Sequence, residues 1–298
     1  MPVQPRQSLS DIHIFGEGTK SRVVRSATSD DRPWIQQSPV CRLLQQHNIL
    51  HAGIMLAKPP FEIVRTDQSG TFFLACFAGS GSILSDGGWR KVSAGEACML
   101  PPHTVNALKL GNSKSWSFAW VRYLEPVGVV PIATANSPAR GPYDPDPLVS
   151  AIDGLRAEIA ASHDAAAVQH HWVELIHGYV CRFATPIHID SRVWRAWERV
   201  GEKLGSAWNL DLIAQEANMG PEQFRRLCLS ALGRSPIKQL TYLRMHRAAE
   251  LLTSTDDKVE TIAHALGYEN QFAFSNAFLK WIGVRPSAHR TEGRRIIG

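Results

Sequence analysis

Cysteine is scarce in this 298-residue chain, and its five copies are scattered. Cys41, Cys76, Cys98, Cys181 and Cys228 form no C-x-x-C pair. That excludes a dense disulfide framework and a cysteine cage for a metal. They read as reduced thiols in apolar surroundings. No apolar run approaches the ~20 residues that a bilayer-spanning helix needs. The opening M-P-V-Q-P-R-Q-S has no apolar stretch of the kind a secretory leader carries. The expected setting is therefore cytoplasmic. No H-x-H pair precedes Glu96 and His103, so the ligands of a metal-dependent barrel enzyme do not gather. No metal, no cofactor and no catalytic residues are expected. Charge of one sign is also in short supply, since 32 Lys and Arg stand against 27 Asp and Glu, a net +5.

What is present is a globular composition, 44% hydrophobic and 20% charged, in a chain long enough for one or two domains. The small positive excess is unevenly placed. Sixteen of the 32 basic and twelve of the 27 acidic residues fall from Thr185 onward, so nearly all of the excess lies there. A surface that meets phosphates has this bias.

The strongest signal is a repeat. Over 259–290, Ile262 and Ala263 begin an apolar face that Leu266 continues, and Gly267 stops a short helix. Asn270 can cap a second helix, in which Phe274, Ala277, Phe278 and Ile282 recur at helical spacing. Gly283 ends it, and Pro286 begins another helix. Asp257 and Glu260 have the spacing of a capping box before this unit. The same pattern stands upstream. Ile213, Ala214 and Met219 precede Ile262, Ala263 and Tyr268 by 49 residues; Phe224, Cys228, Gly233 and Pro236 precede Phe274, Phe278, Gly283 and Pro286 by 50. Repetition of apolar, Gly and Pro positions together means two copies of one supersecondary unit, a helix-turn-helix. A helix from Ser235-Pro236 to about Leu252 joins them.

A-L-G-Y-E-N-Q-F-A-F-S-N-A-F-L-K-W-I-G-V-R-P in the second unit resembles the signature of the AraC/XylS family of transcription regulators, and M-G-P-E-Q-F-R-R-L-C-L-S-A-L-G-R-S-P resembles its partner. The resemblance implies a sequence-specific DNA-binding regulator. Residues on the exposed face near the start of each second helix would then read DNA. In unit one these are Glu222, Arg225 and Arg226; in unit two Asn270, Gln271, Ala273 and Asn276, with Lys280 further along for a phosphate. Arg suits guanine, Glu cytosine, Asn and Gln adenine, and Ala a thymine methyl. The sequence also departs from the family. Leu229 and Leu279 stand where Lys or Arg is common, Asn276 replaces a common Arg, and Phe272 fills a usually small or polar position. Unit one is therefore expected to set more of the specificity.

Upstream, short apolar runs at 51–57, 71–77, 81–85, 96–100, 104–110 and 116–123 alternate with turn signals and read as strands. The run D-G-G-W-R-K-V-S-A-G-E-A-C-M-L-P-P-H-T-V-N resembles the cupin-type sensor of the same regulators. Trp89, His103, Trp116, Trp120 and Arg122 are its candidate effector residues, and a sugar is the effector class implied. The fold class expected is multidomain α+β: an N-terminal cupin-like β-barrel or jelly roll, a helical hairpin, and an all-α double helix-turn-helix. The boundaries expected are an arm at 1–22, a sensor with a Pro-rich linker at 23–147, a helical dimerisation segment at 148–184 and the DNA-binding domain at 191–292. The expected partners are double-stranded DNA, the effector, a second copy of the chain, and RNA polymerase if the output is activation. The alternatives are a cupin-type enzyme fused to a DNA-binding module and a regulator without a small-molecule ligand.

Overall fold

A computed structural model describes residues 12–27, 34–65, 70–102, 104–125, 131–134, 137–161, 166–185 and 190–297, with side chains as far as Thr291. Ten strands come first. They are β1 (Ile12–Phe15), β2 (Lys20–Arg25), β3 (Ile49–Ala57), β4 (Phe61–Arg65), β5 (Phe72–Ser85), β6 (Gly88–Ser93), β7 (Glu96–Leu100), β8 (Asn106–Lys109), β9 (Trp116–Tyr123) and β10 (Arg140–Pro142). The sheet is antiparallel and curls in the order β1-β4-β8-β5-β9-β3-β2; β6 adds to β5, and β7 lies between β5 and β10.

The sequence expectation of two strands at 71–77 and 81–85 is corrected to one long strand. A register shift between Cys76 and Ala78, with Gly79 at φ 69°, bends β5 without ending it. Its first half pairs with β7 and β9 and its second half with β6 and β8. The polar stretch expected as an extended arm contributes β1 and the start of β2. Strands β4 and β6 were likewise not read from the sequence. Two of these four strands, β1 and β6, leave the Ile12, Ile14 and Trp89 side chains exposed, so the apolar alternation that marks a strand is incomplete there.

Alternation divides the sheet into two cores. Inside the curl, Trp116, Phe118 and Trp120 pack with Phe61, Phe72 and Ile83. The two indoles fit because Gly81 and Gly53 oppose them; a Cβ at either glycine would lie within 2.6 Å of an indole carbon. On the outer face, Ala97, Ala75 and Ala119 are cross-strand neighbours, with Ile54 next in the row. That row of small residues receives a helical hairpin, α1 (Asp146–Ala160) and α2 (Ala166–Ala184), through Leu148, Ile152, Leu155, Val173, Ile176 and Val180. Arg22 fastens α1 through Asp153 at 2.7 Å. A 3-10 turn at Arg42–His47 lies against α2, where His47 stacks on His177 with centroids 3.9 Å apart. Burial and the His47 ring hold His177 down at about 4, so it is neutral at ordinary pH.

The described part of the Pro-rich linker is tied down at Glu125 and Ile132. Buried Glu125 accepts hydrogen bonds from the Thr71 amide and hydroxyl, each at 2.8 Å, and from the Ile132 amide at 2.7 Å.

Among the described residues seven helices follow: α3 (Ser191–Glu202), α4 (Leu210–Glu216), α5 (Pro221–Leu232), α6 (Pro236–Ser254), α7 (Val259–Ala265), α8 (Gln271–Ile282) and α9 (Pro286–Ile297). Helix α6 serves two cores. Its first half gives Leu240, Tyr242 and Leu243 to a cluster with Trp197, Ile213, Phe224 and Cys228. Its second half gives Met245, Ala248 and Leu252 to a cluster with Ile262, Phe274, Phe278 and Ile282. All five cysteines are free thiols, four of them buried; burial pushes the Cys228 thiol up to about 12.

Candidate nucleic-acid interface

Each unit is built the same way from its local signals. Asn209 caps α4 by accepting from the Leu212 amide at 2.9 Å. The turn after α4 has Asn218 at φ 53°, and that after α7 has Gly267 at φ 77°, the left-handed conformation in which Gly and then Asn are easiest. The amides that follow reach back to equivalent carbonyls, Met219 to Ala214 at 3.1 Å and Tyr268 to Ala263 at 3.0 Å. Helices α5 and α8 then start differently. Helix α5 starts on Gly220 with Pro221 at its first position. Helix α8 starts on Asn270, whose side chain accepts from the Phe272 and Ala273 amides at 3.1 and 2.8 Å. The Asp257–Glu260 capping box does not form. Helix α7 begins one residue later, on Lys258, and the Asp257 carbonyl is taken by the Arg290 guanidinium.

At about 100° per residue, Glu222 and Arg226 lie opposite Phe224, and Phe272 and Asn276 lie opposite Phe274. Those four side chains form the outer poles of α5 and α8, and all four are exposed. Arg225, beside its pole, forms a bidentate pair with Glu222, at 2.8 Å from Nε and 2.6 Å from Nη2. The pair holds the Glu222 carboxyl below its ordinary range and the guanidinium above its own. Gln271 and Ala273 flank Phe272 and are exposed. The Asn270 carbonyl oxygen is occupied as a cap, which leaves its amide nitrogen for any partner. Lys280 is on the side of α8 that meets the N-terminal domain, with its stem over Gly87.

The structure reveals a junction that sequence reasoning missed. Asp86 and Gly87, both at positive φ, make the two-residue turn between β5 and β6. The Arg234 guanidinium, 2% exposed, lies 3.0 Å from both Asp86 carboxylate oxygens and 3.9 Å from the centre of the Tyr242 ring. The last carbonyls of a helix lack partners within it. Here the N-terminal domain supplies them: the Ala139 amide donates to Leu232 of α5 at 2.9 Å, and the Val105 amide donates to Ile282 of α8 at 2.8 Å. Leu232 and Ile282 are 50 residues apart, the repeat spacing, so the N-terminal domain holds α5 and α8 at equivalent carbonyls. The Asp-Gly turn was legible in the sequence; its partner Arg234 carried no signal.

Of the candidate effector residues, Trp116, Trp120 and Arg122 share the inner face of β9. The indoles are fully buried as barrel filling, and Trp120 donates to His51 at 2.9 Å. Trp89 is apart from them, 41% exposed, under the Lys109 ammonium at 3.8 Å. His103 lies outside the described residues. Glu96 is engaged in its own turn, accepting from the Ser93 amide at 2.8 Å. A cleft of about 460 Å³ opens elsewhere, between the linker, the end of α2 and α5. Tyr143, Arg182, Phe183, Val193 and Leu227 are among its walls.

Comparison with known proteins agrees with this geometry. The helix-turn-helix domain family matches residues 213–292. The HTH-type transcriptional regulator MtrA of Neisseria gonorrhoeae is 32% identical over 104 residues, 35% of this chain and 35% of that protein. The MmsAB operon regulatory protein of Pseudomonas aeruginosa is 24% identical over 222 residues, 70% of each chain. The arabinose operon regulatory protein of Salmonella typhimurium is 29% identical over 103 residues, 34% of this chain and 37% of that one. The match spans about a third of the length of the first and third of these relatives. The chain carries an AraC-family helix-turn-helix domain at its C-terminal end.

Proposed function

We propose that this chain is a transcription regulator that reads a specific DNA sequence with α5 and α8 and responds through its sensor to a small effector. The observation that carries the DNA reading is the pair of equivalent helices on one connector. Helix α6 has 19 residues, about 28 Å at 1.5 Å per residue. Its length suits two helices entering successive major grooves on one face of a duplex, ~34 Å apart. Selection from a pool of randomised duplexes tests it; failure of any sequence to enrich would sink the reading.

A sugar remains the effector class proposed, supported by the relative named for an arabinose operon. The barrel interior is filled by its own aromatics, so we assign the effector to the cleft instead. Tyr143 and Phe183 offer ring faces, and Arg182 and Asp144 offer partners for hydroxyls. An effector there would touch α2 and α5 together and so bias how the sensor holds unit one. A thermal-shift panel of monosaccharides should yield a binder whose stabilisation is lost in Arg182→Ala. A panel with no binder, beside intact DNA selection, would favour a regulator without a small-molecule ligand. Self-association through the exposed Val168 and Leu175 of α2, and contact with RNA polymerase if the output is activation, belong to the same proposal. Sedimentation of Leu175→Glu tests the first of these.

A further inference from the structure

Among the described residues, Phe272 is the most exposed large apolar side chain, at 73%. It belongs to neither core of the C-terminal units. Its place is nevertheless fixed. The Asn270 cap accepts from the Phe272 amide itself, and the opposite face of α8 is anchored by Phe274, Phe278 and Ile282. The ring therefore stands at the outer pole of the first turn of the reading helix, a place from which side chains reach base edges.

A phenyl ring neither donates nor accepts a hydrogen bond. Within the major groove, the apolar group available to it is the thymine C5-methyl. Set against cytosine or guanine, the same ring would cover a polar edge and leave it unpaired. We propose that Phe272 makes unit two a reader of thymine through its methyl group, with Ala273 beside it. This inference rests on the DNA-reading function proposed above. The equivalent position in unit one is Glu222, which is tied to Arg225. One repeat thus reads with charged groups, and the other reads by apolar contact at the same place.

The test uses the full chain and a duplex selected from a randomised pool. Thymines in the half bound by unit two are replaced one at a time by deoxyuridine, which removes only the methyl group. Wild type should lose about fourfold in affinity at one or two positions, the ratio expected for one buried methyl group. Deoxyuridine there should make no difference to Phe272→Ala, while Phe272→Leu should keep part of the dependence. 5-Methylcytosine at the same position should be accepted better than cytosine by wild type alone. The melting temperature of Phe272→Ala should match wild type, since the ring packs in no core. Equal deoxyuridine penalties in wild type and Phe272→Ala would overturn the assignment and leave the DNA reading intact. So would wild-type binding indifferent to every deoxyuridine. A pool that yields no enriched duplex would overturn both.

Discussion

Helices α5 and α8 bury the same three positions and turn different chemistry outward. Phe224, Cys228 and Leu232 in one, and Phe274, Phe278 and Ile282 in the other, fill equivalent parts of their cores. At the outer poles, Glu222 and Arg226 face Phe272 and Asn276 across the repeat. The inward positions are constrained by packing, which rejects a change of volume or polarity. The outward ones are free of it and follow whatever each helix meets. Two copies of one unit can therefore keep a skeleton and part company in what they recognise.

That contrast can be broken at its foundation first. Phe224→Ala and Phe274→Ala should each destabilise by about 3–5 kcal/mol, read by urea denaturation. If only one does, the two cores are not equivalent. The next effect is at the junction. Asp86→Ala strands the buried Arg234 charge and should cost about 3 kcal/mol, with part regained in the double variant Asp86→Ala, Arg234→Met. A cost below 0.5 kcal/mol would mean that water reaches Arg234. Among the readers, Arg226→Ala should lose about 1–3 kcal/mol of discrimination at one base pair, and Asn276→Ala less, as measured by competition between selected duplexes. The reverse order would make unit two the principal reader. Glu222→Gln releases Arg225 from its partner. Affinity for any duplex should then rise and the salt slope steepen by up to about 1, whereas no such release exists in unit two, where Phe272 takes that place. The smallest effect is expected at Lys280. With its stem over Gly87, Lys280→Ala should change the salt slope by less than 1, and a full unit would restore it as a phosphate contact.

How much of this was written in the sequence depended on the range of the interaction. The helix stops at Gly267, Gly233 and Gly283 and the cap at Asn270 were legible, because each is decided within about four residues. The misplaced box at Asp257 also shows the limit of that range: Arg290, 33 residues on, takes the carbonyl. Strands β1, β2 and β4 escaped because partners distant in sequence, not their own alternation, make them strands, and β6 escaped because its exposed Trp89 breaks the alternation. The unity of β5 was hidden by Gly79, which reads as a break and acts as a bend. In the candidate interface, pole residues followed from periodicity once the core face was known. The pairing of Arg225 with Glu222, the resting place of Lys280 and the burial of Trp116 and Trp120 needed the third dimension.

The two hydrogen bonds that main-chain amides of the N-terminal domain give to the Leu232 and Ile282 carbonyls have a consequence for how such a protein changes over time. Every residue but proline offers a main-chain amide. Positions 105 and 139 can therefore change without loss of the donor, so long as the new side chain fits beside Gly283 and in the buried place of Ala139. Asp86 and Arg234 have no such freedom, since their contact is made by the side chains themselves. A chimera that joins this C-terminal domain to a foreign barrel should dock wherever the chain follows the same path, provided that no proline stands at those two places and the acid at the hairpin tip is kept.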